Sequence, residues 1–271
     1  MRTFVAALRY EFRMQVRKRS VWLVPALIIL LVLLIGFSLL RDLFDATEGQ
    51  TVAKAAMIQL GIQLNALLPI GYGCLLADRL IRDDRLRLAP VLDATPARPG
   101  VRLLGKYLGT AAATAIPIVA IYAALAVAYT VHWGQPAALG WALVSFGLVM
   151  VPGLLFVAAF ALAVPLIMPA PLFRVLFVGY WIWGNLVPPD MMPTLTRGVI
   201  QPGGGYAVNA LLDHYGMDGD LELAGPVPGA VLNFLRPEPT ALAGWLSIAI
   251  LLALAAAALA GGQALRTRRT R

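Results

Sequence analysis

Charge is scarce in this chain. Only 13% of its 271 residues are Asp, Glu, Lys or Arg, against about 25% in soluble domains. With 60% hydrophobic residues and a mean hydropathy of +0.78, that scarcity excludes an ordinary soluble domain and points to an integral membrane protein. The one cysteine, Cys74, excludes an intrachain disulfide and a cysteine-based metal cluster; it reads as a small apolar filler inside a helix. The two histidines, His132 and His214, stand far apart, and neither H-E-x-x-H nor G-x-S-x-G occurs. The residues of zinc-protease and serine-hydrolase chemistry are therefore missing. No Asp, Glu or Lys lies deep in an apolar run, which argues against proton- or ion-coupled transport. Asp78, Asp83 and Asp84 cluster, but arginines surround them, so ion pairing is favoured over a metal site. The chain reads as a non-enzyme with no catalytic, cofactor or metal site of its own.

What is present is apolar length. A helix needs about 20 apolar residues to cross the hydrocarbon core, and six stretches meet or approach this: 21–40, 55–77, 107–130, 141–168, 172–187 and 241–262. Pro117, Pro152 and Pro165 fall inside them and mark kinks, which membrane helices tolerate. The sixth carries a small-residue stripe, Ala249, Ala253, Ala257 and Gly261, which predicts close helix packing. The predicted fold class is all-α integral membrane, a single domain over 1–271 with six transmembrane helices.

Lys and Arg set the orientation. With both termini cytoplasmic, eighteen of the 22 basic residues lie inside, and only Arg41, Lys54, Arg197 and Arg236 lie outside. The acids lean the other way. The net charge of +8 is then a topology signal and a contact with anionic lipid headgroups, not a nucleic-acid footprint. Trp22, Trp133, Trp141, Trp181, Trp183 and Trp245 stand near span ends, as interfacial aromatic belts do.

Gly100–Tyr107, GVRLLGKY, matches seven of the eight positions of the phosphate-binding loop G-x-x-x-x-G-K-[ST]. A working loop follows a strand and uses its Ser or Thr to hold magnesium. Here ATPARP precedes, Val-Arg-Leu-Leu fills the loop, and Tyr107 replaces the metal ligand, so no nucleotide site is expected. QPGGGY, at 201–206, is glycine-rich but lacks Lys and reads as a flexible loop on the outer side.

Near the N-terminus Phe4, Leu8 and Phe12 fall on one helical face and Arg9, Arg13 and Arg17 on another, an interfacial pattern. The segment 78–106 is the sizeable charged connector between the second and third spans. Residues 77–88 have helical spacing and extend the second span. Pro90 suits the start of a short helix reaching Ala94, and Thr95-Pro96 then ends it.

This layout resembles the permease subunit of type-2 ABC exporters. Asp83, Asp84 and Arg85 match that family's charged run, Val91 and Leu92 its apolar short helix, and Thr95, Pro96 and Arg98 its break. Leu103, Leu104, Gly105 and Lys106 match the entry to the third span, and residues 1–20 look like its elbow helix. The chain departs from the family pattern before the short helix, where Arg87, Leu88 and Pro90 replace a usual Gly-Thr. The resemblance implies a multi-pass subunit in the plasma (inner) membrane of a bacterium, forming half of a substrate path. It implies a second permease copy or paralogue as partner. It also implies a separate ABC ATPase subunit that carries ATP and magnesium and docks at the short helix containing Pro90, Val91 and Leu92.

Gln59, Gln63, Asn65 and Asn185 are polar residues within the spans. They are candidate substrate contacts, or simply interhelical hydrogen-bond partners. The outer segment 188–240 carries six acids and is rich in Pro and Gly. Its stretch 206–215 has helical spacing and is expected on the outer surface. The alternative function is a non-transporting membrane scaffold or immunity-type protein, which needs the same spans and no ATPase.

Overall fold

The structure is a computed structural model, and it describes residues 2–35, 53–80, 99–213 and 223–269. Among these residues the chain is helical and contains no strand. The helices are α1 (Arg2–Val16), α2 (Arg19–Ile35), α3 (Ala53–Leu76), α4 (Pro99–Trp133), α5 (Ala137–Ser145), α6 (Val151–Ala163), α7 (Ala170–Asn185), α8 (Gly205–Leu212) and α9 (Ala241–Arg269). A π-helical turn, Phe146–Met150, joins α5 to α6, and a 3-10 turn, Val164–Leu166, follows α6.

Four helical runs are long and apolar enough to cross a membrane: α3, α4, the continuous run Ala137–Leu166, and α9 as far as Leu265. One shorter helix is apolar, α2 over Arg19–Leu31; α7 has 16 residues and carries Arg174. α4 begins at Pro99, where the missing amide hydrogen costs nothing, eight residues before the expected start. Its 35 residues rise about 52 Å, so it outruns a bilayer core.

Proline explains the break in Ala137–Leu166. Pro152 has no amide hydrogen to give the preceding turn, and the widened turn Phe146–Met150 lies just before it. Pro165 sits in the closing 3-10 turn. α3 ends at Leu76, Ala77 and Asp78 form a turn, and Arg79 and Leu80 are helical again; the rest of the expected extension, 81–88, lies outside the described residues. Arg174 of α7 reaches the end of α3. Its Nε donates to the Cys74 carbonyl at 3.2 Å and its Nη2 to the Asp78 carboxylate, so the last carbonyls find a cation rather than another turn.

The core lies among α3, α4, α6 and α7, around fully buried Met57, Ile58, Val157, Ala158 and Trp181. Trp181, expected in an interfacial belt, is 0% exposed, and its indole donates to the Ala66 carbonyl at 2.7 Å. Two small-residue patterns behave differently. Gly105 and Gly109 form a close crossing with α1, where a Cβ on Gly109 would stand 2.6 Å from the Leu8 carbonyl oxygen. On α9 the stripe Ala249, Ala253, Ala257 and Gly261 faces outward, while Gly244, Leu251, Ala255 and Gly262 pack inward. The expected close packing of that stripe is therefore not made among the described residues.

Candidate functional site

Two polar clusters stand out. The first joins α1, α3 and α4. Glu11 of α1 is 1% exposed and lies against Arg79, which follows α3. Arg79 donates Nε to one carboxylate oxygen and Nη2 to the other, the latter at 2.8 Å. Gln15 adds a bond at 3.2 Å and Thr110 of α4 one at 3.3 Å. Three of these donors meet Oε1 and one meets Oε2, so both oxygens of the buried carboxylate are partnered. Arg9, Arg13 and Arg17 point outward from α1, and Phe4, Leu8 and Phe12 are partly buried, as the helical pattern requires. The octapeptide Gly100–Tyr107 is continuous helix. Its amides from Leu103 onward are committed to helical hydrogen bonds, and Gly105 serves the contact with α1.

This cluster brackets the connector. Arg79 lies just before residues 81–98, and Gly105, Gly109 and Thr110 lie just after them. The coupling residues expected from sequence, Asp83, Asp84, Arg85, Pro90, Val91, Leu92, Thr95, Pro96 and Arg98, fall outside the described residues. So does the short helix between Pro90 and Ala94.

The second cluster reaches the middle of α3, at Asn65. Residues 201–210 are buried throughout, so the glycine-rich stretch is not a surface loop. The helix expected over 206–215 exists as α8, but Tyr206 and Val208 are 0% exposed, so it lies inside the bundle rather than on its surface. Irregular backbone at such depth is tolerated only where protein groups satisfy it, and two asparagines do so. Asn65 Nδ2 donates toward three carbonyls: Gly203 at 3.1 Å, Val149 at 3.4 Å and Pro202 at 3.5 Å. Asn185 Oδ1 accepts the Gly203 amide at 2.8 Å, and its Nδ2 returns to the Trp181 carbonyl at 3.1 Å. The approach demands glycine on both sides. A Cβ on Gly153 would meet the Pro202 carbonyl oxygen at 2.8 Å, and Gly204 takes a positive φ of 83° against Val149.

Of the four polar candidates, the structure thus joins Asn65 and Asn185 through Gly203. Gln59 and Gln63 lie on another face of α3, half-buried, and make no bond to this cluster. Two small cavities, of about 10 and 30 Å³, meet at Tyr72. Asn65 lines the first, and Gln15 and Thr114 the second. Each suits a water molecule or two.

The stretch around residues 194–197 is tied down by Arg236, which is 1% exposed. Its Nη2 donates to the Thr194 carbonyl at 2.6 Å and its Nε to the Thr196 carbonyl at 2.9 Å. Burial, and then the like charge of Arg197, press this guanidinium below its ordinary pKa. The Tyr206 hydroxyl donates to the Pro237 carbonyl at 3.0 Å. Burial, and then the negative Glu238 nearby, raise its pKa. Among the described residues no group of three His, Cys, Asp or Glu is placed to hold a metal ion.

No protein-family model matches the chain, and no curated protein matches it. The functional reading rests on geometry and on the sequence motifs. Sequence reasoning missed the Glu11–Arg79 pair and the inward course of residues 201–210. The available signals were a lone acid among the arginines of α1 and three consecutive glycines beside an asparagine-bearing span.

The second cluster is sensitive to one side chain. Asn65→Leu keeps the volume and removes the donor to a buried backbone. The expected cost is about 1–3 kcal/mol, read as a lower thermal midpoint of the purified chain in detergent. An unchanged midpoint would show that the Pro202 and Gly203 carbonyls are satisfied without Asn65.

Proposed function

We propose that the chain is the membrane-spanning subunit of an ATP-driven ABC exporter. It forms half of a substrate path with a second copy or paralogue and couples to a separate ATPase subunit through residues 78–106. The observation that carries this reading is the clasp of α1 on both flanks of that connector. Glu11 holds Arg79 on one side, and Leu8 packs on Gly109 on the other. A push on the connector is thereby passed to α1, α3 and α4 together.

The six-span topology with cytoplasmic termini is part of the same reading. Arg79 and Arg174 are among the basic residues counted inside, and each forms an ion pair there, with Glu11 and Asp78. Lys54, counted outside, lies 5.5 Å from the ring centroid of Trp141 at the start of a span. The two helices shorter than a bilayer, α2 and α7, supply the remaining spans. Residues 201–212 then close the outer end. A closed end in a single chain suits a path completed by a partner chain.

The test is to purify the tagged chain from its own membranes in mild detergent, identify co-purifying proteins and assay ATPase activity. A stoichiometric nucleotide-binding subunit is expected, with activity that requires this chain. Replacing Val91 and Leu92 with Asp is expected to abolish transport while leaving the thermal midpoint unchanged. A chain that purifies without any ATPase would favour the scaffold reading instead.

A further inference from the structure

A groove runs along the side of the bundle where α7 and α9 diverge over α6. Phe156 and Phe160 of α6, Phe177 and Tyr180 of α7 and Leu254 of α9 line it, and Met168 closes one end; its volume is about 290 Å³. Every lining residue is apolar or aromatic, so water gains few partners there. Left empty, its walls would forfeit their dispersion contacts on one side. The groove lies along α6 and α9, two of the helical runs long enough to cross a membrane, where the surrounding solvent is hydrocarbon. From Phe173 to Tyr180 it follows α7 for about 10 Å, and its apolar lining suits a hydrocarbon chain.

Charge distinguishes its two ends. At the Met168 end, Arg174 keeps its side chain 38% exposed while it pairs with Asp78. Gly262 of α9 packs on Ala163 and Leu166 there. Arg268, exposed, lies about 9 Å further along the same helix. Beyond Tyr180, α7 carries Trp183 and Asn185 and no charge. We propose that the groove holds one acyl chain of an anionic phospholipid, with its phosphate turned toward Arg174 and Arg268. This needs only the membrane residence of the long helices and is independent of the exporter reading.

The purified chain, placed in nanodiscs of equal phosphatidylglycerol and phosphatidylcholine, is re-extracted in mild detergent and examined by native mass spectrometry. One retained phosphatidylglycerol per chain is expected. Leu176→Trp, at a lining position that is 52% exposed, fills the groove and is expected to abolish retention. Leu176→Phe serves the same purpose, with partial loss, if the larger ring prevents assembly. Arg268→Gln is expected to lower the preference for phosphatidylglycerol about fivefold without emptying the groove. Three results would overturn the proposal: no retained lipid, retention unchanged by both Leu176 variants, or equal retention of the two lipids. A dimer that Leu176→Trp dissociates would also overturn it, because a second copy would then occupy the groove.

Discussion

Arg79→Ala is expected to destabilise the protein by about 3–5 kcal/mol, the range for stripping one partner from a buried ion pair. The cost comes from Glu11. With Arg79 present, its carboxylate is 1% exposed yet holds a two-pronged cation and bonds from Gln15 and Thr110. With Arg79 absent, two neutral donors remain for a full negative charge in an apolar crossing. Arg79→Lys restores charge but not the planar fork that meets both oxygens, so partial recovery is expected. The double variant Glu11→Leu with Arg79→Leu removes both charges and is expected to be more stable than Arg79→Ala alone, since a buried pair replaced by apolar groups is often near neutral. Thermal midpoints in detergent for the single and double variants give the comparison. An Arg79→Ala midpoint equal to that of the parent would mean that the carboxylate is not buried against α3.

Gly109→Val is expected to drive α1 off the bundle. Its Cβ would stand 2.6 Å from the Leu8 carbonyl oxygen, 3.0 Å from Glu11 Cβ and 3.3 Å from the Phe12 nitrogen. Two of these are backbone atoms of a regular helix, which cannot rotate aside. The strain of such overpacking costs about 1–3 kcal/mol, and any displacement of α1 also pulls Glu11 from Arg79. The two effects therefore compound. The midpoint should fall, and trypsin should cut faster after Arg9, Arg13 and Arg17, which face outward. Gly100→Ala is the control: its Cβ would meet nothing within 4 Å. Alanine there removes a weak helix former and is expected to stabilise slightly. If Gly109→Val were as harmless as Gly100→Ala, the α1 crossing would be wrong.

Much of the architecture was legible in the residue order because it follows from local rules. Four of the apolar runs form helices long and apolar enough to cross a membrane, since a chain in hydrocarbon must satisfy its amides within each segment. The two faces of α1 followed from four-residue spacing, and the break near Pro152 from a missing amide hydrogen. The scarcity of charge pointed to a helical membrane protein before any contact was known. What contacts each face was another matter, because it depends on distant segments. Gly105 belongs to a helix crossing rather than a phosphate loop because α1 returns across it. Trp181 is a core residue rather than a belt residue because the Ala66 carbonyl lies behind it. Residues 201–210 enter the bundle because Asn65 and Asn185, 120 positions apart in sequence, both bond to Gly203. Composition could not distinguish a solvated glycine loop from a buried one: the same flexible backbone serves either, and only the presence of partners for its amides and carbonyls decides which forms.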